Sequence, residues 1–236
     1  MGNYHDDTME ILANKGNGNY AYINNLLEAK KVLLKELTGT LFTLAKDVKI
    51  QVEFNPAMVG AYRLLGYENR LLAAEDFRDD SKDAGEIGPG HRVTALYELI
   101  PAGHKNVPDL EARRYQQAGD SRTTNAAMGE LLNVQLRYKE PTGQQSGLIS
   151  LPVRADRHKN VDTIDQMSVD FRFAAAVAGF AMLLTDSEHL GDFTWERCLQ
   201  LARAGRGADP EGYRAEFYRL VEAAQLIKRS DDSRER

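Results

Sequence analysis

The stretch Asp47 to Arg70, DVKIQVEFNPAMVGAYRLLGYENR, restricts the fold of this chain more than any other. In its first half Val48, Ile50, Val52 and Phe54 alternate with Lys49, Gln51 and Glu53. That period of two puts the apolar side chains on one face of a strand and the polar ones on the other. The pattern predicts a half-buried strand with its Val/Ile/Phe face toward a core. Asn55-Pro56 breaks the ladder, because proline has no N–H to donate, and a second strand-like run, Val59 to Tyr67, follows it. Both need further strands to pair with.

The middle of the chain supplies them. In His91 to Ile100, Val93, Ala95, Tyr97 and Leu99 share one face, but Leu96 and Ile100 make the other partly apolar, which predicts a central strand packed from both sides. Pro101 ends it, and the polar segment 102 to 129 reads as a long, mobile connection. From Glu130 to Glu140, Leu132, Val134, Leu136 and Tyr138 alternate with polar residues. Pro141-Thr142-Gly143 is a turn, and Gly147 to Val153 offers Ile149, Leu151 and Val153 as the buried face of a pairing strand, with Pro152 marking an edge. About five strands joined by hairpin-like turns predict an antiparallel sheet or one sheet of a β-sandwich.

The last third is helical. Ser168 caps a helix with a stripe of Val169, Phe173, Val177, Phe180 and Leu184 and a smoother one of Ala174, Ala178 and Ala181. Asp192 is placed to cap a second helix that turns Trp195, Cys198, Leu199 and Ala202 inward. Asp209-Pro210-Glu211 signals the start of a third, with Tyr213, Phe217, Leu220, Val221, Ala224 and Ile227 in its stripe. The tail after Lys228 is too polar to pack and is expected to be disordered. The fold class is therefore α+β: an antiparallel sheet followed by a three-helix segment.

Residues 1 to 38 read differently, as helix, strand, helix. Met9, Ile11 and Leu12 lie on a helix stopped by Gly16-Asn17-Gly18, Tyr20 to Ile23 is a short strand, and Leu26, Ala29, Val32, Leu33 and Leu37 recur at helical spacing before Gly39. This run, ILANKGNGNYAYINNLLEAKKVLLKEL, resembles the closing helix, last strand and final helix of a von Willebrand factor type A (VWA) domain. The stretch that follows, FTLAKDVKIQVEFNPAMVGAYRLLGYENRLLAAEDFRDDSKDAGEIGPGHRVTALYELIP, is similar to the uncharacterised C-terminal domain of bacterial VWA proteins of the YfbK type. The resemblance implies a remnant of a VWA-like domain in 1–38, a β-sandwich-like domain in 39–160, a helical segment in 161–228 packed on it, and a disordered tail in 229–236. The metal-binding motif of VWA domains, D-x-S-x-S, occurs nowhere in the chain, so a divalent metal site would belong to a missing part of that domain. The resemblance also implies a fragment of a cell-envelope protein and a protein partner.

Charge and motifs exclude several functions. A net charge of -5 and a pI near 5.6 lack the basic field that phosphates require, which removes nucleic acid as a partner. The start of the chain has no signal peptide, and the most apolar run, Phe171 to Leu184, is too short for a membrane span and reads as a buried helix. The five histidines, His5, His91, His104, His158 and His189, stand at no metal-ligand spacing. Cys198 beside Leu199 and Trp195 reads as a buried thiol rather than a nucleophile. Glu53 and Glu98 are surface positions on strands before they are a glycosidase pair. The densest acidic segment holds Glu75, Asp76, Asp79, Asp80, Asp83 and Glu86. Of these, Asp76, Asp79, Asp80, Asp83 and Glu86 are the calcium candidates, against a simpler reading as a solvated loop. Two functions remain: a non-enzymatic interaction module beside a VWA domain, without cofactor, or a stand-alone module binding calcium, or carbohydrate through Tyr62, Tyr67 and Tyr97.

Overall fold

The computed structural model describes residues 5–16, 18, 20–66, 71–105, 107, 129–155 and 163–234. In chain order the elements are α1 (Asp6–Lys15), α2 (Leu26–Lys30), a π-helical stretch (Lys31–Glu36), α3 (Leu37–Leu41), β1 (Ala45–Phe54) and β2 (Val59–Leu65). A 3-10 turn (Ala74–Arg78), β3 (Gly85–Ile87), β4 (Leu96–Pro101), β5 (Glu130–Lys139) and β6 (Gly147–Arg154) follow. Another 3-10 turn (Ile164–Gln166), α4 (Val169–Leu184), α5 (Trp195–Ala204) and α6 (Tyr213–Arg234) complete the chain. The class is α+β, with antiparallel sheets and C-terminal helices. The long connection and Tyr67 lie largely or wholly outside the described residues.

The chain forms two compact units that interleave in sequence. The first holds Met1–Asn55, Leu72–Val93 and Glu130–Val153, and the second Pro56–Leu71, Thr94–Gly129 and Arg154–Arg236. The break at Asn55-Pro56 is thus deeper than a bend. β1 joins a four-stranded sheet in the order β3-β1-β5-β6, and β2 pairs only with β4. β4 begins at Leu96 rather than His91 and is one of two strands, not a central one.

In the first unit β1 and β5 run antiparallel, with Ile50 opposite Leu136, Val52 opposite Val134 and Phe54 opposite Leu132. A bulge at Lys46/Lys49 interrupts both ladders of β1, and Asp47 at its centre takes a φ of 52°, a left-handed conformation that aspartate tolerates better than most residues. The strand expected at 20–23 does not form: these residues run without strand pairing, and none of the described strands lies beside them to complete it. Helical structure continues past Gly39 to Leu41, because Gly39 serves a contact rather than a stop. A Cβ on Gly88 would lie 1.7 Å from the Gly39 carbonyl oxygen, so helix and turn cross backbone to backbone there.

In the second unit α4, α5 and α6 form an up-down-up bundle. Asp170 pairs with Arg214 near the start of α4 and α6, and Asp186 with Lys228 near their far ends, so these two helices run parallel. Phe180, Leu183, Cys198 and Val221 form one buried cluster, and Ala176, Leu201 and Ala202 a second. Phe217 meets Phe173 and Phe180 edge to face at 5.2 and 5.5 Å. The inward face of α4 is therefore Phe173, Ala176, Gly179, Phe180 and Leu183, whereas Val177 and Leu184, expected inside, are open to solvent. Gly179 is buried because the Phe193 ring lies against it, 2.2 Å from where a Cβ would stand. Thr194, not Asp192, caps α5, its hydroxyl accepting from the Arg197 N–H. Helix α6 begins at Tyr213, beyond Gly212 at φ 78°, yet Asp209 still accepts from the N–H groups of Arg214 and Ala215. It continues to Arg234, past the polar boundary at Lys228. Leu220 and Ile227, expected in its stripe, are exposed.

Candidate functional site

At Lys49 and Ile50 burial is the reverse of the expectation for β1, while Val48, Val52 and Phe54 are half-buried and Glu53 is exposed as the alternation predicts. Lys49 is 5% exposed, while Ile50 beside it is 49% exposed. The reason is the acidic segment, which folds across the polar face. Phe77, 3% exposed, seats its ring there under the Arg137 guanidinium, whose carbon is 5.8 Å from the ring centroid. Lys49 Nζ donates to the backbone carbonyls of Asp79 at 2.5 Å and Asp76 at 3.2 Å. Lys139, 7% exposed, donates to the Asp80 carbonyl at 2.7 Å and to Asp47 Oδ2 at 2.6 Å. The bulge aims Asp47 at this point: its other oxygen accepts from the Ala84 N–H at 3.2 Å.

The charges tune one another. Burial pushes the Asp47 carboxyl up, but hydrogen bonds from Lys139 and the Ala84 N–H, with the charge of Lys139, outweigh it and hold the pKa below the usual value. The hydrogen bond to Asp47 pushes the Lys139 ammonium up against its burial. Asp79 is lowered by the Ser81 hydroxyl and N–H, and Asp80 by the hydroxyl and N–H of Ser146.

The calcium candidates are thus turned to other partners. Asp79 accepts from Ser81, Asp80 accepts from Ser146, Asp76 sits 3.4 Å from Lys82 Nζ, Glu86 accepts from the Thr43 hydroxyl at 2.8 Å, and Asp83 is exposed. The backbone carbonyls of Asp76, Asp79 and Asp80 are held by the two lysine ammonium groups. Among the described residues no group of three or more His, Cys, Asp and Glu side chains is gathered to hold a metal. Lys49 and Lys139 are the residues that the alternation missed, having been placed on a solvent face. The signal was present as Lys49, Arg137 and Lys139, three cations at like parity on strands of a domain whose loop is acidic.

The other face is open. Ser150 Oγ lies 2.9 Å from Asn133 Oδ1, and a Cβ on Gly147 would rest on the Tyr138 ring, so odd-numbered residues of β6 share the face of Tyr138, Leu136 and Val134. Ile50, Ile149, Leu151 and Val153 therefore lie on one apolar surface, each at least 41% exposed. The only buried hydrophobic side chain described in this unit is Phe77, on the other face. Helical residues Leu26, Leu33, Leu34, Leu37 and Leu41 are also exposed, Leu26 at 85%.

The remaining candidates disperse. Glu53 is exposed on β1, and Glu98 pairs with Arg63 in the other unit. Tyr62 is exposed, and Tyr97, half-buried, is pushed up by burial and then by Tyr62. Trp195 packs edge to face on Phe180 at 6.0 Å as a core anchor. Cys198 is fully buried, its thiol donating to the Ala176 carbonyl at 3.4 Å, and burial pushes its pKa up to about 11. His5, His91, His104 and His189 are exposed, and His158 lies outside the described residues. An open cleft of about 580 Å3 in the second unit is lined by Phe173, Arg206, Asp209, Tyr213 and Arg214. Its two guanidinium groups are already tied to Asp209, Asp170 and the Gly205 carbonyl. No described helix is long and apolar enough to cross a membrane.

Residues 39–227 match the family described as "Uncharacterized protein YfbK, C-terminal". The chain is 44% identical over 226 residues to the uncharacterized protein YfbK of Escherichia coli K12. That similarity covers 95% of this chain but 37% of the relative, so the chain spans little more than a third of that protein. No solved structure matches the chain.

Proposed function

The chain belongs to the YfbK C-terminal family, and from that premise we propose that it is a non-enzymatic protein-interaction module that accompanies a VWA domain in a bacterial cell-envelope protein. One observation carries the interaction reading. The first unit folds its charged face inward under the acidic loop and leaves the apolar face of its sheet exposed at Ile50, Ile149, Leu151 and Val153, with Phe77 alone buried among its described hydrophobic residues. An apolar surface of this kind, exposed at Ile50 on β1 and along β6, marks a place where another protein surface packs. The VWA neighbour and the envelope location rest on the resemblance of residues 16 to 101. The reading without turnover draws support from the described charged side chains, which hold one another in structural pairs, those of the open cleft included.

The test is dye binding. The 236-residue chain is expected to enhance the fluorescence of anilinonaphthalene sulfonate, and Ile50→Lys with Leu151→Lys to reduce it at unchanged near-ultraviolet signal from Trp195. The intact E. coli relative is expected to bind little dye. Equal enhancement by the intact relative would show that nothing in the longer protein covers this face.

A further inference from the structure

We propose that β6 is a strand-addition site, filled in this family by an extended segment from the part of the polypeptide that the present chain does not span. The inference rests on the interaction reading above and specifies its geometry. The sheet has two edges of different character. β3 is three residues long and carries Glu86, which blunts it against pairing. β6 is eight residues long, has no charged side chain from Gly147 to Val153, and is exposed at every position.

Both faces of this edge carry exposed apolar side chains. Leu148 is 51% exposed on one side, and Ile149, Leu151 and Val153 are 41 to 58% exposed on the other. An added strand would therefore gain side-chain contact on both faces besides its ladder. Pro152 sets the register, since proline in a sheet stands where its missing N–H would face away from the neighbouring strand. Residues of the same parity, Leu148 and Ser150, then aim their N–H groups and carbonyls at the free edge.

The same proline selects the occupant. Two copies of β6 paired about a twofold axis would each present a Pro152 without a donor, losing two ladder bonds where a foreign strand loses one. A segment of the same polypeptide also binds at the high effective concentration of an intramolecular contact. The E. coli relative has that material, because this chain matches only 37% of it.

Amide hydrogen exchange tests the proposal. In the 236-residue chain the amides of Leu148 and Ser150 are expected to exchange nearly as fast as loop amides, independent of protein concentration. In the matching segment of the intact relative they are expected to slow by about a hundredfold or more. Fast exchange in the intact relative would overturn strand addition. If dye binding is nevertheless lost there, the interaction reading stands and only its geometry fails. Protection that develops in the isolated chain with rising concentration would instead assign the edge to a second copy and also overturn the proposal.

Discussion

Replacing Lys49 by Met keeps most of the side-chain length and removes the three donors, which isolates the ammonium's hold on the acidic loop. The carbonyls of Asp79 and Asp76 lose partners at 2.5 and 3.2 Å in a site where Lys49 is 5% exposed. Each carbonyl keeps a backbone donor, the Asp79 N–H on Asp76 and the Lys82 N–H on Asp79, so what is lost at each is a hydrogen bond to a charged donor, about 1.5–3 kcal/mol. Against this stands the relief of no longer desolvating a buried ammonium, several kcal/mol for an ion without full compensation. The loop can also lift and return its carbonyls to water, which caps the loss at the free energy of local opening. A net destabilisation of the closed loop by about 2 kcal/mol follows from these opposed contributions. The readout is cleavage by trypsin at Arg78 and Lys82, both within the covering segment. When opening is fast relative to cleavage, the rate follows the open population, so Lys49→Met should be cut about thirtyfold faster. The bundle, reported by Trp195, should melt unchanged. A change in cleavage of less than twofold would refute the idea that the ammonium, rather than Phe77 and the loop's own turns, holds the segment down.

The Asp47 and Lys139 pair fixes a pH dependence. Asp47 has a lowered pKa, so its contribution is present above the ordinary value of 3.8 and is lost as pH falls through the folded value below it. Lys139 is raised above 10.5, so its contribution is complete below that value and is lost as pH rises further. Asp47→Asn should therefore weaken the acid dependence of loop cleavage below about pH 4, using an acid-stable protease, and an identical acid limb would refute the pairing. In the bundle, Gly179→Ala opposes two effects: better helix propensity, worth about 1 kcal/mol, and overpacking against Phe193, costing about 1–3 kcal/mol. Because a Cβ would meet the ring at 2.2 Å, overpacking wins and the melting temperature should fall; a rise would show that Phe193 moves aside freely.

Alternation in β1 and β5 predicted both strands and an antiparallel sheet, though not that these two pair with each other, and the helical spacing predicted all three C-terminal helices. What the pattern could not supply is which face is covered. A period of two says that the faces differ; burial is decided by whatever packs on them, here a loop whose contacts with the strands span 27 to 59 residues of sequence. The acidic density of 75–86 was visible, but its partners are backbone carbonyls as much as carboxylates, and carbonyls are silent in a sequence. The stripe on α4 drifted for a related reason. Small residues, Ala176 and Gly179, fill the tightest part of the interface, while the larger Val177 and Leu184 stay outside.

An inward charged face beside an open apolar one is costly for an isolated domain, and that asymmetry constrains the function more than any single residue does. Hydrophobic burial contributes about 25 cal/mol per Å2 of apolar surface removed from water. A sheet that leaves Ile50, Ile149, Leu151 and Val153 at 41 to 58% exposure forgoes much of that gain. The lysine contacts under the loop replace it only in part, since buried ammonium groups must first be desolvated. The second unit shows what the same chain does when it forms its own core: Leu201, Val221 and Cys198 are essentially sealed from solvent. The first unit should therefore be the less stable of the two in isolation. It should gain stability when its apolar face is covered, so that the free energy missing from its core becomes available for binding.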